Sequence, residues 1–156
     1  MLGFPAALTT GMSSGIGAGV TRECGCRFAY GARASWSSAT ESSQIWTVTH
    51  ADLRLRATGA IRHVAGRGTL ALRLGLGATV VHEDRVRNQG MRAGLTGSDL
   101  ETTALATLPA ADLEAVVLVR VVGPWVLVVS GGPSVDLLAG SLHGGFTSEL
   151  GVAWQP

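Results

Sequence analysis

Thr69-Leu70-Ala71-Leu72-Arg73-Leu74-Gly75-Leu76-Gly77-Ala78-Thr79-Val80-Val81 is the stretch on which the fold turns. Leu70, Leu72, Leu74, Leu76, Ala78 and Val80 alternate with Thr69, Ala71, Arg73, Gly75, Gly77 and Thr79. A helix would wind the leucines around its whole circumference. An extended strand, whose successive side chains point to opposite faces, gathers them on one side. The stretch is longer than the about 5–6 residues usual in a soluble strand. It reaches the about 9–11 residues that a strand needs to cross a bilayer.

The same period recurs on both sides of this segment. Met12 to Arg22 alternates Met12, Ser14, Ile16, Ala18 and Val20 with Ser13, Gly15, Gly17, Gly19 and Thr21. Arg27 to Ser37 sets Phe28, Tyr30, Ala32, Ala34 and Trp36 against Arg27, Ala29, Gly31, Arg33 and Ser35. Thr49 to Arg62 opposes Ala51, Leu53, Leu55, Ala57 and Ile61 to His50, Asp52, Arg54, Arg56 and Arg62. Asp112 to Val122 places Leu113, Ala115, Val117, Val119 and Val121 against Asp112, Glu114 and Arg120. Trp125 to Val129 is a short apolar run, and Phe146, Leu150, Val152 and Trp154 face away from Thr147, Glu149, Gly151 and Ala153. A weak helical option exists only over Leu100 to Leu113.

Composition narrows the kind of sheet. Charged residues make up 15% and apolar ones 46%, with 22 glycines in 156 residues. Soluble domains carry about 25% charge and about 7% glycine. The net charge of +1 includes no basic run and gives no case for nucleic acid. Every cationic side chain apart from histidine is Arg, which excludes chemistry needing a lysine amine. The longest apolar run, Ala115 to Val129, is broken by Arg120 and Gly123-Pro124, so no membrane helix is expected. Met1 to Thr10 lacks the basic and apolar regions of a secretory leader.

These features predict an all-β fold: one domain over residues 1–156, an antiparallel up-and-down barrel of eight transmembrane strands. The polar faces mix Gly, Ala and Ser with sparse charges, as a narrow lumen would. Arg33, Asp52, Arg54, Arg56, Arg73, Glu114, Arg120 and Glu149 are the expected lumen network, because about eight strands enclose just enough room for side chains. Short connections at Glu23–Cys26, His63–Gly68 and Gly123-Pro124 alternate with longer ones at Ser38–Val48, Glu83–Ala111 and Ser130–Gly145. An even strand count requires an upstream strand, for which Leu2 to Leu8 is the candidate despite Pro5.

Phe28, Trp36, Trp46, Trp125, Phe146 and Trp154 lie near strand ends, where aromatic girdles meet a membrane interface. The pattern from Met12 to Trp154 resembles the bacterial outer-membrane β-barrel proteins as a class. Phe146 to Trp154 looks like the alternating terminal strand that those proteins present to their assembly machinery, although Gln155-Pro156 come after the final aromatic. The resemblance implies a bilayer as partner, an outer-membrane location, and a structural, anchoring or surface-interaction role with a filled lumen rather than a wide pore.

Other motifs point elsewhere. Thr10-Gly11-Met12-Ser13-Ser14-Gly15-Ile16-Gly17 resembles the dinucleotide-binding motif of short-chain dehydrogenases, which needs a strand before it and a helix after it. The family's Tyr-x-x-x-Lys pair cannot exist without Lys. Cys24-Gly25-Cys26 lacks the further ligands of a metal site. His82-Glu83-Asp84 with Ser130 or Ser134 supplies the residue types of a hydrolase, but nothing in the spacing unites them. No enzyme activity and no cofactor are therefore expected. The alternative to a membrane barrel is a soluble lipocalin-like barrel with its apolar faces inward around a small ligand.

Overall fold

The computed structural model describes residues 14–25, 27–88, 101–138 and 140–155. The described residues form seven strands: β1 (Ser14–Cys24), β2 (Phe28–Ser42), β3 (Trp46–Ala65), β4 (Gly68–Arg87), β5 (Glu101–Val122), β6 (Trp125–Leu138) and β7 (Ser141–Trp154). They form one sheet in sequence order, each antiparallel to the next. The all-β, up-and-down architecture is thus as expected. The described strands number seven rather than eight, and no pairing joins β1 to β7 among the described residues. Leu2 to Leu8 lies outside the described residues.

The strands run further than their apolar patterns suggest. β3 and β4 have 20 residues each and β5 has 22. The connection expected over Ser38–Val48 is a hairpin closing at Ser42 and Trp46. Its polar rungs still pair, with Thr40 beside Thr49 and Ser42 beside Thr47, both at 3.3 Å between hydroxyls. Threonine is β-branched and suits a strand whether or not the strand is apolar. The helical option over Leu100 to Leu113 is overturned by β5, which pairs with β4 from Glu101 onward. The connection expected over Ser130–Gly145 is likewise strand on both sides of Ala139-Gly140.

Gly131-Gly132-Pro133 misleads because these residues signal a turn. Here the backbone of β6 passes so close to β5 that a Cβ on Gly132 would stand 2.0 Å from the Leu113 carbonyl oxygen. The ladder to β5 is interrupted between Asp112↔Ser134 and Ala115↔Gly131, which is where Pro133 has no N–H to give. The tight connections place Gly25, Gly66, Gly123 and Gly140 at positive φ.

The sheet is curled. Cys24, Phe28, Ile61, Leu72, Ala115, Gly131 and Ser148 form one line of register partners. Yet Glu23, whose line runs one residue over and reaches Thr147, meets Gln155, eight residues further along, at 3.5 Å. A stagger of about eight residues at ~3.3 Å, over six inter-strand steps at ~4.8 Å, corresponds to a tilt of about 40°. Strands that wrap into barrels tilt by about 35–45°.

Candidate functional site

Inside the curl lies charge. Arg33 on β2 donates to Glu114 on β5 (2.8 and 3.2 Å) and to Glu149 on β7 (2.7 Å). Arg73 on β4 donates to Glu114 through Nε at 2.9 Å and also through Nη2. Thr147 completes the shell of Glu114 at 3.4 Å. The tilt explains why these four charges meet. The register partners of Arg33 on β5 and β7 are Ala110 and His143, reached by way of Arg56, Gly77 and Asp136. Glu114 lies four residues beyond the first and Glu149 six beyond the second, so the stagger brings all of them to one level.

A second layer sits beside the first. Arg56 Nε donates to Asp112 at 2.8 Å, its Nη1 to the Ala78 carbonyl at 2.6 Å, and its Nη2 to the Thr79 hydroxyl at 3.0 Å. Thr79 in turn donates to Asp136 at 2.7 Å. Nearer the end where β3–β5 project, His50 lies 3.3 Å from Glu83, which also pairs with Arg85. Asp52 and Arg54 form a looser pair at 3.8 Å, separate from both layers. Arg120 is not brought into the interior; it is exposed at the short-turn end, the end where β1 meets β2, β3 meets β4 and β5 meets β6. Asp112 and Thr79, which the alternation places on polar faces, and Asp136 are interior partners outside the expected network.

The usual sorting of residues is inverted. Glu114 and Thr79 are 1% exposed, and Arg56, Asp112, Glu83, Ser130 and Ser134 are also buried; the buried apolar residues are Ala29, Leu108, Val116 and Val126. Leu70, Leu72, Leu74 and Leu76 are 49–57% exposed. The lipocalin-like alternative would have these leucines inside, whereas here they form the outer surface.

Phe28, Trp36, Trp125, Phe146 and Trp154 are exposed on this outer face, joined by Tyr30. Trp125 and Trp154 are register partners at the short-turn end, and Trp36 pairs with Leu53 near the other. Trp46 departs from the set: it is half-buried, with the Arg87 guanidinium 4.6 Å above its ring. Phe28 to Trp36, and Phe146 to Trp154, each enclose eight residues of rise, about 20 Å along the axis at this tilt. The apolar band of outer-membrane barrels is about 25 Å tall.

The remaining motifs do not assemble. His82 faces outward, 3.1 Å from Asp84, while Ser130 faces inward toward Arg73 (3.3 Å). A sheet therefore separates the residues a hydrolase would need together. The Thr103 hydroxyl, 2.8 Å away, and then His82 hold the Asp84 carboxyl below the usual carboxylate range. Gly15 and Gly17 lie in β1, and the next element is strand β2, not the helix a dinucleotide motif requires. Cys24 is a free, exposed thiol, and Cys26 lies outside the described residues. Among the described residues no group of His, Cys, Asp and Glu could hold a metal ion, and no helix is long and apolar enough to cross a membrane. No family model, no curated protein and no solved structure matches the chain.

Proposed function

We propose that the chain is a transmembrane β-barrel of the bacterial outer-membrane type, with a structural, anchoring or surface-interaction role and no catalytic activity. The carrying observation is the inversion: charged side chains are withdrawn from solvent while a ring of large apolar ones is presented to it. Apolar patches beyond a few hundred Å² are rare on soluble monomers, and a hydrocarbon solvent removes their cost. The charged layers then occupy a lumen too narrow for a wide pore. Closure asks for one more strand between β1 and β7, because unpaired N–H and C=O groups do not persist in hydrocarbon. Leu2 to Leu8 is the segment the sequence offers. The outer membrane is the compartment this reading implies, and β7, ending on Trp154, is the strand offered to assembly machinery.

The test is refolding in detergent micelles, with circular dichroism and gel mobility of unheated and boiled samples compared. A β-rich spectrum with a heat-dependent mobility shift only in detergent is expected. A soluble monomeric β-protein in plain buffer would overturn the reading.

A further inference from the structure

The short-turn end carries a concentration of cationic charge that no described residue neutralises. Arg22, Arg27, Arg67 and Arg120 are all exposed there, and none has an ion-pair partner among the described residues. The one side-chain carboxylate described at that end, Glu23, is taken by Arg62 at 2.5 Å. The opposite end is different: there Glu41, Glu83, Asp84 and Glu101 accompany Arg85 and Arg87.

The backbone forces some of these arginines together. The Arg62 N–H donates to the Arg27 carbonyl at 2.7 Å, and the Arg120 N–H to the Arg67 carbonyl at 3.0 Å. Like charges on neighbouring strands destabilise a sheet unless an anion lies between them. Arg22 stands on the outer face opposite Tyr30. The whole rim borders the girdle of Phe28, Trp125 and Trp154. In a membrane barrel this is headgroup depth, where guanidinium forks match phosphate oxygens bidentately.

We propose that this rim is a collar for the phosphates of anionic phospholipids, with Arg67/Arg120 as a paired cradle, Arg27 beside the neutralised Arg62–Glu23 pair, and Arg22 on the outer wall. The proposal rests on the membrane reading. It implies that lipids around the short-turn end are enriched in anionic headgroups, on the order of tenfold over neutral ones, given the usual attraction per arginine at an anionic surface.

Trp125 and Trp154 supply the measurement, in the full chain carrying Trp36→Phe and Trp46→Phe. It is refolded into mixed phosphatidylcholine and phosphatidylglycerol vesicles in which one lipid or the other bears brominated tails. Stronger quenching by brominated phosphatidylglycerol is expected, fading in high salt. Replacing Arg22, Arg27, Arg67 and Arg120 by Gln abolishes the preference, and replacing them by Lys retains part of it. Folding of each variant is checked by heat-dependent mobility in a neutral detergent; should the Gln variant not fold, the salt titration of the parent chain carries the test. Equal quenching by both lipids would overturn the collar and leave the membrane reading standing. Equal quenching together with binding of soluble polyphosphate would assign the rim to a soluble anion and also overturn it. Absence of quenching by either lipid would instead sink the membrane reading.

Discussion

Glu114 holds two arginines from different strands while almost wholly enclosed, so its charge is satisfied by geometry rather than by water. Removing one member of such a group leaves the others buried and unpaired, a loss of about 3–5 kcal/mol. Glu114→Gln is therefore expected to lower the unfolding free energy by about that amount, measured by denaturant titration in detergent. Removing charge in balance, as in Glu114→Leu with Arg73→Met, is expected to restore most of it, because Arg33 keeps Glu149. Gly77 shows the opposite constraint: a Cβ there would stand 1.9 Å from the Leu55 carbonyl oxygen. Space inside the curl is that tight where strands approach. Asp84 is the outlying case, a carboxylate beyond the apolar band. Its depressed pKa contributes only above the ordinary carboxylate range, and the contribution is lost as pH falls through the lowered value.

Within a single strand of the proposed membrane barrel, depth replaces burial as the variable that decides what a substitution does. Leu74 on β4 and Leu105 on β5 are both outward and exposed. Leu74 lies midway between the girdles; Leu105 lies beyond them, on the projecting part of β5. An arginine at the middle of a lipid-facing band costs about 2–4 kcal/mol, falling to about 0–1 near the interface. Leu74→Arg is expected to destabilise the protein in vesicles by about that larger amount, and Leu105→Arg to be near neutral, both read by urea unfolding. Equal effects at the two sites would contradict a bilayer boundary between them. This scale is also where the sequence was most and least legible. The alternation of β4 displayed itself because both faces are chemically uniform. The outer halves of β2, β3 and β5 carry Ser, Thr, His and Asp on both faces, so they lack the apolar contrast that marks a strand. The partners of the interior charges were unreadable for a different reason: spacing along one strand says nothing of the stagger that brings Glu114 and Glu149 level with Arg33.

For the described residues taken together, the decisive property is that one curled sheet carries its polar face inward and its apolar face outward. The link between Arg33 and Glu149 spans from the second strand to the last, and the link between Glu23 and Gln155 spans from the first strand to beyond the last. Long-range contacts of this kind close late in folding, after many loop closures have been made. The charged layers then act as a check on register. A slip of one residue in any strand would turn every interior charge toward the apolar side.

β3, β4 and β5 continue well past Trp36 without a break in pairing. On the membrane reading proposed above, water and hydrocarbon meet along a strand whose hydrogen bonding does not change. Amide hydrogen–deuterium exchange in lipid should register that meeting as a step along β4 between Leu76 and Arg87: slow below, fast above. In a protein dissolved in water, the same unbroken ladder would exchange with a gradual fall toward its tip. On that reading the projecting strands serve as a ruler standing in the interface, from which the depth of immersion can be read one amide at a time.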